Sequence, residues 1–245
     1  MRYDRPFPLD TPLDTPRDRL VLALDTHDLD AAAQMARLLA EYFRVAKVGL
    51  ELYCAGGFEL INVLADCGYE VFCDLKLHDI PNTVGRAAKV IGKLRVSYLT
   101  VHAAGGLRML QAAVEGLAAA HSSQIADESP NRTQLLAVTV LTSESEVSQN
   151  RLIQRIELAV EAGCNGIVCA APDLTMATRF ADSLICVVPG IRLPGDSIDD
   201  QRRVATPREA IDAGADLLVV GRSVTRAPDP VAAAESLHDH LRSSA

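Results

Sequence analysis

The chain has no tryptophan and only five phenylalanines and five tyrosines in 245 residues. An aromatic platform for stacking nucleic-acid bases is therefore not expected. Basic charge is also scarce: 24 Lys and Arg stand against 32 Asp and Glu, a formal balance of −8. That sign argues against nucleic-acid binding through bulk positive charge. No uninterrupted apolar stretch approaches ~18 residues, and the N-terminus carries no apolar signal core. A membrane partner is not expected. Six cysteines occur, none in a CxxC pair, and most lie in apolar runs such as Val71-Phe72-Cys73. They read as small buried side chains in a reducing cytoplasm rather than as disulfides or metal ligands. At 49% hydrophobic and 23% charged residues, disordered, collagenous and disulfide-scaffold classes are excluded.

What is present is a regular alternation. Residues 1–18 stand apart, holding four of the twelve prolines, four Asp and three Arg without apolar periodicity. They read as a poorly ordered N-terminal extension that adds nothing to the core. From Arg19 onward, short apolar runs predict strands at 20–25, 44–49, 70–76, 98–103, 135–141, 166–170, 184–191 and 217–221. Segments of helical periodicity lie between them, at 28–42, 83–94, 106–120 and 146–162, with a last helix near 230–241. Near-continuous apolar strands alternating with helices indicate a parallel sheet covered by helices. Eight such units, with no GxGxxG after the first strand, predict a single (β/α)8 TIM barrel over residues 19–245.

Chemistry in such barrels sits at the C-terminal strand ends, and those ends are polar here. Asp25 ends the first strand, Lys47 lies in the second, and the third ends Asp74-Leu-Lys76, with Asp79 just beyond. Strand side chains alternate faces, so Asp74 and Lys76 should both point into the barrel. A structural ion-pair network would also gather such charges. Flanking carboxylates favour a protonated ammonium, whereas a Schiff-base lysine needs a neutral amine. Lys76 therefore reads as a proton donor or electrostatic stabiliser. A second cluster joins Pro189-Gly-Ile-Arg192 to Gly221-Arg222, after strands seven and eight. Glycine allows close backbone approach and arginine offers bidentate hydrogen bonds, so a phosphorylated ligand is expected there, with Gln201 within reach. Thr142 and Ser143 follow strand five. The lone histidines His27 and His78 have no metal-ligand spacing and read as structural.

The stretch Asp74-Leu-Lys-Leu-His-Asp-Ile-Pro-Asn-Thr83 resembles the signature of the orotidine 5′-phosphate decarboxylase family. Ala23-Leu-Asp25, Ala46-Lys-Val-Gly49, the run from Ala137 to Ser143, Pro189-Gly-Ile-Arg192, Asp200-Gln-Arg-Arg-Val204 and Val-Gly-Arg222 agree with it in the family's order. The resemblance implies loss of CO2 from orotidine 5′-phosphate to give uridine 5′-phosphate, the last step of de novo UMP synthesis. It implies that Lys76 protonates C6 and that Asp74 sits by the departing carboxylate, in a network with Lys47 and Asp79. Asp25 and Lys47 would meet the ribose, Thr142 and Ser143 the pyrimidine, and Gln201, Arg192, Gly221 and Arg222 the phosphate. No metal and no organic cofactor are implied. A homodimer is, with Asp79 and Thr83 contributed to the partner's site. The competing expectation is a metal-dependent phosphosugar lyase on the same barrel, which should carry an acidic ligand on the second strand. Lys47 stands there, with Glu51 four residues on.

Overall fold

A computed structural model describes residues 13–122, 132–141, 148–180, 182–193 and 203–242. Eight strands follow in chain order: β1 Leu20–Leu24, β2 Val45–Gly49, β3 Glu70–Leu77, β4 Tyr98–His102, β5 Gln134–Val138, β6 Gly166–Val168, β7 Ile185–Val188 and β8 Leu217–Val220. Each pairs in parallel with the next, and β8 closes on β1. The expected closed barrel is what forms.

The helices among the described residues are α1 Leu29–Leu39, α2 Leu50–Asp66, α3 Pro81–Ile91, α4 Leu107–His121, α5 Gln149–Ala162, α6 Leu174–Ala177, α7 Pro207–Asp212, α8 Arg222–Thr225 and α9 Pro230–Arg242. Local chemistry sets their ends. Asp28 caps α1 by accepting from the Ala31 N–H at 3.0 Å. Thr206 and Glu209 form a reciprocal capping box at α7. Gly163 ends α5 in the left-handed conformation, at φ 80°. α3 and α4 meet backbone to backbone, because Gly85 and Gly116 bring no Cβ to the contact.

Period two builds two cores. Outward residues such as Leu20, Leu22, Leu24, Val48 and Val71 pack under the helices. Inward residues Val21, Ala23, Val45, Phe72, Tyr98, Leu217 and Val219 fill the lower barrel as a separate cluster. Near Tyr98 the floor holds a buried polar group: Arg44 Nη2 donates to the Tyr98 hydroxyl at 3.3 Å, and that hydroxyl donates to Glu70 at 3.1 Å. Residues 13–18 correct one expectation, for they do join the core. Leu13 packs against the inward cluster, and the Arg17 carbonyl accepts from the Arg44 N–H at 3.2 Å. Leu13 and Arg17 thus tie the leader's last residues to the barrel.

Candidate active site

Each inward row turns from apolar to polar as it climbs. Above Val21 and Ala23 stands Asp25; above Val45, Lys47; above Phe72, Asp74 and Lys76; above Leu217 and Val219, Gly221. These upper residues line a cavity of about 220 Å³ at the C-terminal mouth, together with Arg192 and Arg222. The alternation that fills the floor with hydrocarbon thus delivers the charged groups to one place.

Asp74 is the centre of this group. Its Oδ2 lies 2.8 Å from Lys76 Nζ and 3.6 Å from Lys47 Nζ. Its Oδ1 accepts from the Thr100 hydroxyl at 3.0 Å. Lys47 also donates to Asp25 Oδ1 at 3.1 Å. Burial works to raise the Asp74 pKa, but Lys47, Lys76 and the hydrogen bonds from Lys76 and Thr100 outweigh it. The carboxyl is held below its usual range. Burial works to lower the Lys47 pKa, and the Asp74 and Asp25 charges reverse it, so this ammonium is held above the usual lysine range. Asp74 and Lys47 thus hold each other ionised.

Lys76 reaches the network through an unusual backbone. Its φ is 49°, the one positive φ outside glycine among the described residues. The β3–β4 register shifts between Cys73 and Leu77, so the strand bulges where Lys76 sits. The Lys76 N–H donates to Thr100 Oγ1 at 2.8 Å in place of a regular ladder bond. Outliers of this kind cost of order 1–3 kcal/mol and gather at functional sites.

The opposite wall comes from the ends of β7 and β8. After Val188 the chain turns through Pro189 and Gly190, whose φ is 82°, and Ile191 bridges to Ala205. Arg192 is buried, and its Nη1 donates to the Ile191 carbonyl at 2.9 Å. Gly221 lies against β1, where a Cβ would come within 3.4 Å of Ala23 and 3.7 Å of Asp25 Oδ2. Two arginines and two glycine-bearing turns thus face a carboxylate with two lysines.

The model of the orotidine 5′-phosphate decarboxylase / HUMPS family matches residues 18–237. The chain belongs to this family. An orotidine 5′-phosphate decarboxylase of Streptococcus pneumoniae (strain ATCC 700669 / Spain 23F-1) is 41% identical over 234 residues, covering 90% of this chain and 95% of that one. The crystal structure of orotidine 5′-phosphate decarboxylase from Lactobacillus acidophilus superposes with a TM-score of 0.75 at 32% identity, covering 91% of this chain and 99% of that one. An uncharacterized conserved protein from Geobacillus kaustophilus gives 0.74 at 34% identity, covering 89% and 97%.

For a member of the orotidine 5′-phosphate decarboxylase / HUMPS family, the distribution of the expected site residues is informative. Asp25, Lys47, Asp74, Lys76, Arg192, Gly221 and Arg222 all line the cavity. Asp79 and Thr83 do not; both are exposed at the start of α3, where Asp79 accepts from the Ile80 N–H. Thr142, Ser143 and Gln201 lie outside the described residues. Glu51 also stays out of the cavity and pairs with His27 at 3.1 Å. Thr100 was missed by sequence reasoning. Its signal was available, since it is the inward residue between Tyr98 and His102 on β4.

Proposed function

We propose that this chain decarboxylates orotidine 5′-phosphate to uridine 5′-phosphate and CO2, the last step of de novo UMP synthesis. The observation that carries the reading is the Asp74 carboxylate, bracketed by Lys76 and Lys47 in a cavity whose other wall carries Arg192 and Arg222. The phosphate would lie with Arg192, Arg222, Gly221 and Gln201, and the pyrimidine with Thr142 and Ser143. Asp25 and Lys47 would meet the ribose hydroxyls. The C6 carboxylate would then approach Asp74.

In the chemical step the C6–carboxyl bond breaks and its electron pair stays on C6, so neutral CO2 leaves. The Lys76 ammonium, already aimed into the cavity, stabilises that pair and passes its proton to C6. Solvent then reprotonates the amine. Remote binding of the phosphate supplies energy that can be used at the reacting carbon. No step calls on a metal or organic cofactor.

The reading includes a cytoplasmic homodimer whose catalytic unit is residues 19–245. The exposure of Asp79 and Thr83 supports giving them to the partner's site, with Asp79 completing the charge network across the interface. The test is direct: purified protein should deplete orotidine 5′-phosphate absorbance in excess chelator. A strict Mg²⁺ requirement would overturn the reading in favour of the phosphosugar lyase, which the family's description also spans.

A further inference from the structure

We propose that Thr100 is a positioning residue of the decarboxylation, its single hydroxyl holding the Asp74 carboxylate and the left-handed backbone of Lys76 in one arrangement. The inference rests on the activity proposed above.

Thr100 is fully buried on the inward face of β4 and does not line the cavity, so it acts only through its neighbours. Its hydroxyl has one proton. An ionised carboxylate can only accept, so that proton goes to Asp74 Oδ1, at 3.0 Å. A lone pair is left for the Lys76 N–H, at 2.8 Å.

Each bond answers a specific need. Lys76 sits at φ 49° in a bulge where the strand ladder is interrupted, and its N–H would otherwise lose the partner that fixes this conformation. Asp74 has two oxygens; the lysines take Oδ2, and Thr100 fixes Oδ1 and thereby the carboxylate plane. One side chain on a neighbouring strand therefore sets both the direction of the Lys76 stem and the orientation of the carboxylate it faces. A small misplacement of such groups costs rate rather than ground-state binding.

Thr100→Val keeps the shape and removes both bonds, whereas Thr100→Ser keeps both. For the valine protein kcat should fall about ten- to a hundredfold, the loss of one hydrogen bond to a charged group. KM and the Kd for uridine 5′-phosphate should stay within about threefold, and the serine protein should recover most of the rate. Thr100→Ala carries the same expectation should the valine protein not fold. Amide hydrogen exchange at Lys76 reads the contact without turnover: slow in the wild type, at least about tenfold faster in Thr100→Val. Wild-type kcat in Thr100→Val, a serine protein as impaired as the valine one, or parallel loss of nucleotide binding would each overturn the proposal. If wild-type protein does not act on orotidine 5′-phosphate, the activity fails while the Lys76 exchange still decides the positioning.

Discussion

Replacing Asp74 by Asn changes shape little and removes the negative charge that two ammonium groups share. Lys47 is the group most affected. Its side chain is only 11% exposed, and burial alone would drive its pKa down. Without Asp74 it keeps Asp25 at 3.1 Å, a carboxylate that is 61% exposed. The attraction between unit charges at the 3.6 Å of Lys47 and Asp74 is about 4–5 kcal/mol at an effective dielectric of 20. Relief of the buried carboxylate returns part of that. Removing one member of a buried pair costs about 3–5 kcal/mol when the other is left uncompensated. Asp25 and the solvent at Lys76 reduce this to about 2–3 kcal/mol, or a Tm lower by roughly 5–10 °C in a chain of this length.

Urea and thermal unfolding of wild type, Asp74→Asn, Lys47→Met and the double variant measure the effect. The double variant should be more stable than the two single losses added together, because the orphaned ammonium has gone. pH adds a second readout. Asp74, held below its ordinary 3.8, contributes stability that is present above that value and lost as pH falls through its folded pKa. Lys47, held above its ordinary 10.5, contributes stability that is present below that value and lost as pH rises through its folded pKa. In Asp74→Asn burial should prevail at Lys47, so the variant should lack this alkaline decline and instead gain stability as pH rises through the lowered folded pKa. An Asp74→Asn protein as stable as wild type, or more so, would refute the reasoning: Asp74 would then be held under strain rather than neutralised by its neighbours.

Lys76→Ala should abolish turnover while uridine 5′-phosphate still binds, measured by calorimetry; near-normal turnover would remove Lys76 as the acid. Mixing inactive Lys76→Ala and Asp79→Ala proteins should restore activity, because a hybrid dimer carries one intact site. Failure of rescue with subunit exchange demonstrated would mean that Asp79 serves its own chain. Gly116→Ala would drive a Cβ into the Gly85 carbonyl, so unfolding should show a loss of up to about 2 kcal/mol: overpacking of about 1–3 less about 1 for the better helix propensity of alanine.

The barrel was legible because its two periods are written separately. Runs such as Leu20–Leu24 are buried on both faces, as parallel strands require, and the helical patterns between them are long. Strand ends were overextended where apolar residues continue into a loop, as at Cys169 and Ala170 beyond β6. The charged mouth was legible for the same reason as the floor: Asp74 and Lys76 are two residues apart, as are Val45 and Lys47. What alternation cannot encode is the bulge. It says that Asp74 and Lys76 share a face, but not that Lys76 needs a left-handed backbone, nor that the threonine of the next strand satisfies it. Alternation puts Thr100 on the inward face with Tyr98 and His102, but the partners of its hydroxyl are set by the register at the bulge. The Asp79–Thr83 segment is a different case, because one chain shows only that it is exposed.

The net charge of −8 and the cationic mouth have one physical origin, in where charge can be held. Acidic side chains at the surface are screened by salt and solvent and say little about an anionic ligand. Lys47 and Asp74 stand directly on a hydrocarbon floor that includes Val45 and Phe72. That floor lowers the local dielectric, which strengthens each attraction and also raises the cost of any unpaired charge. The network must therefore be nearly neutral when empty, and Asp25 and Asp74 opposite Lys47 and Lys76 make it so. In the proposed reaction a substrate carboxylate entering beside Asp74 breaks that neutrality. Loss of CO2 leaves the charge as an electron pair on C6, the Lys76 proton quenches it, and reprotonation of Lys76 by solvent restores the balance. The same balance underlies the resting stability of the site and the direction of the proposed chemistry, so a variant that removes Asp74 should lose both.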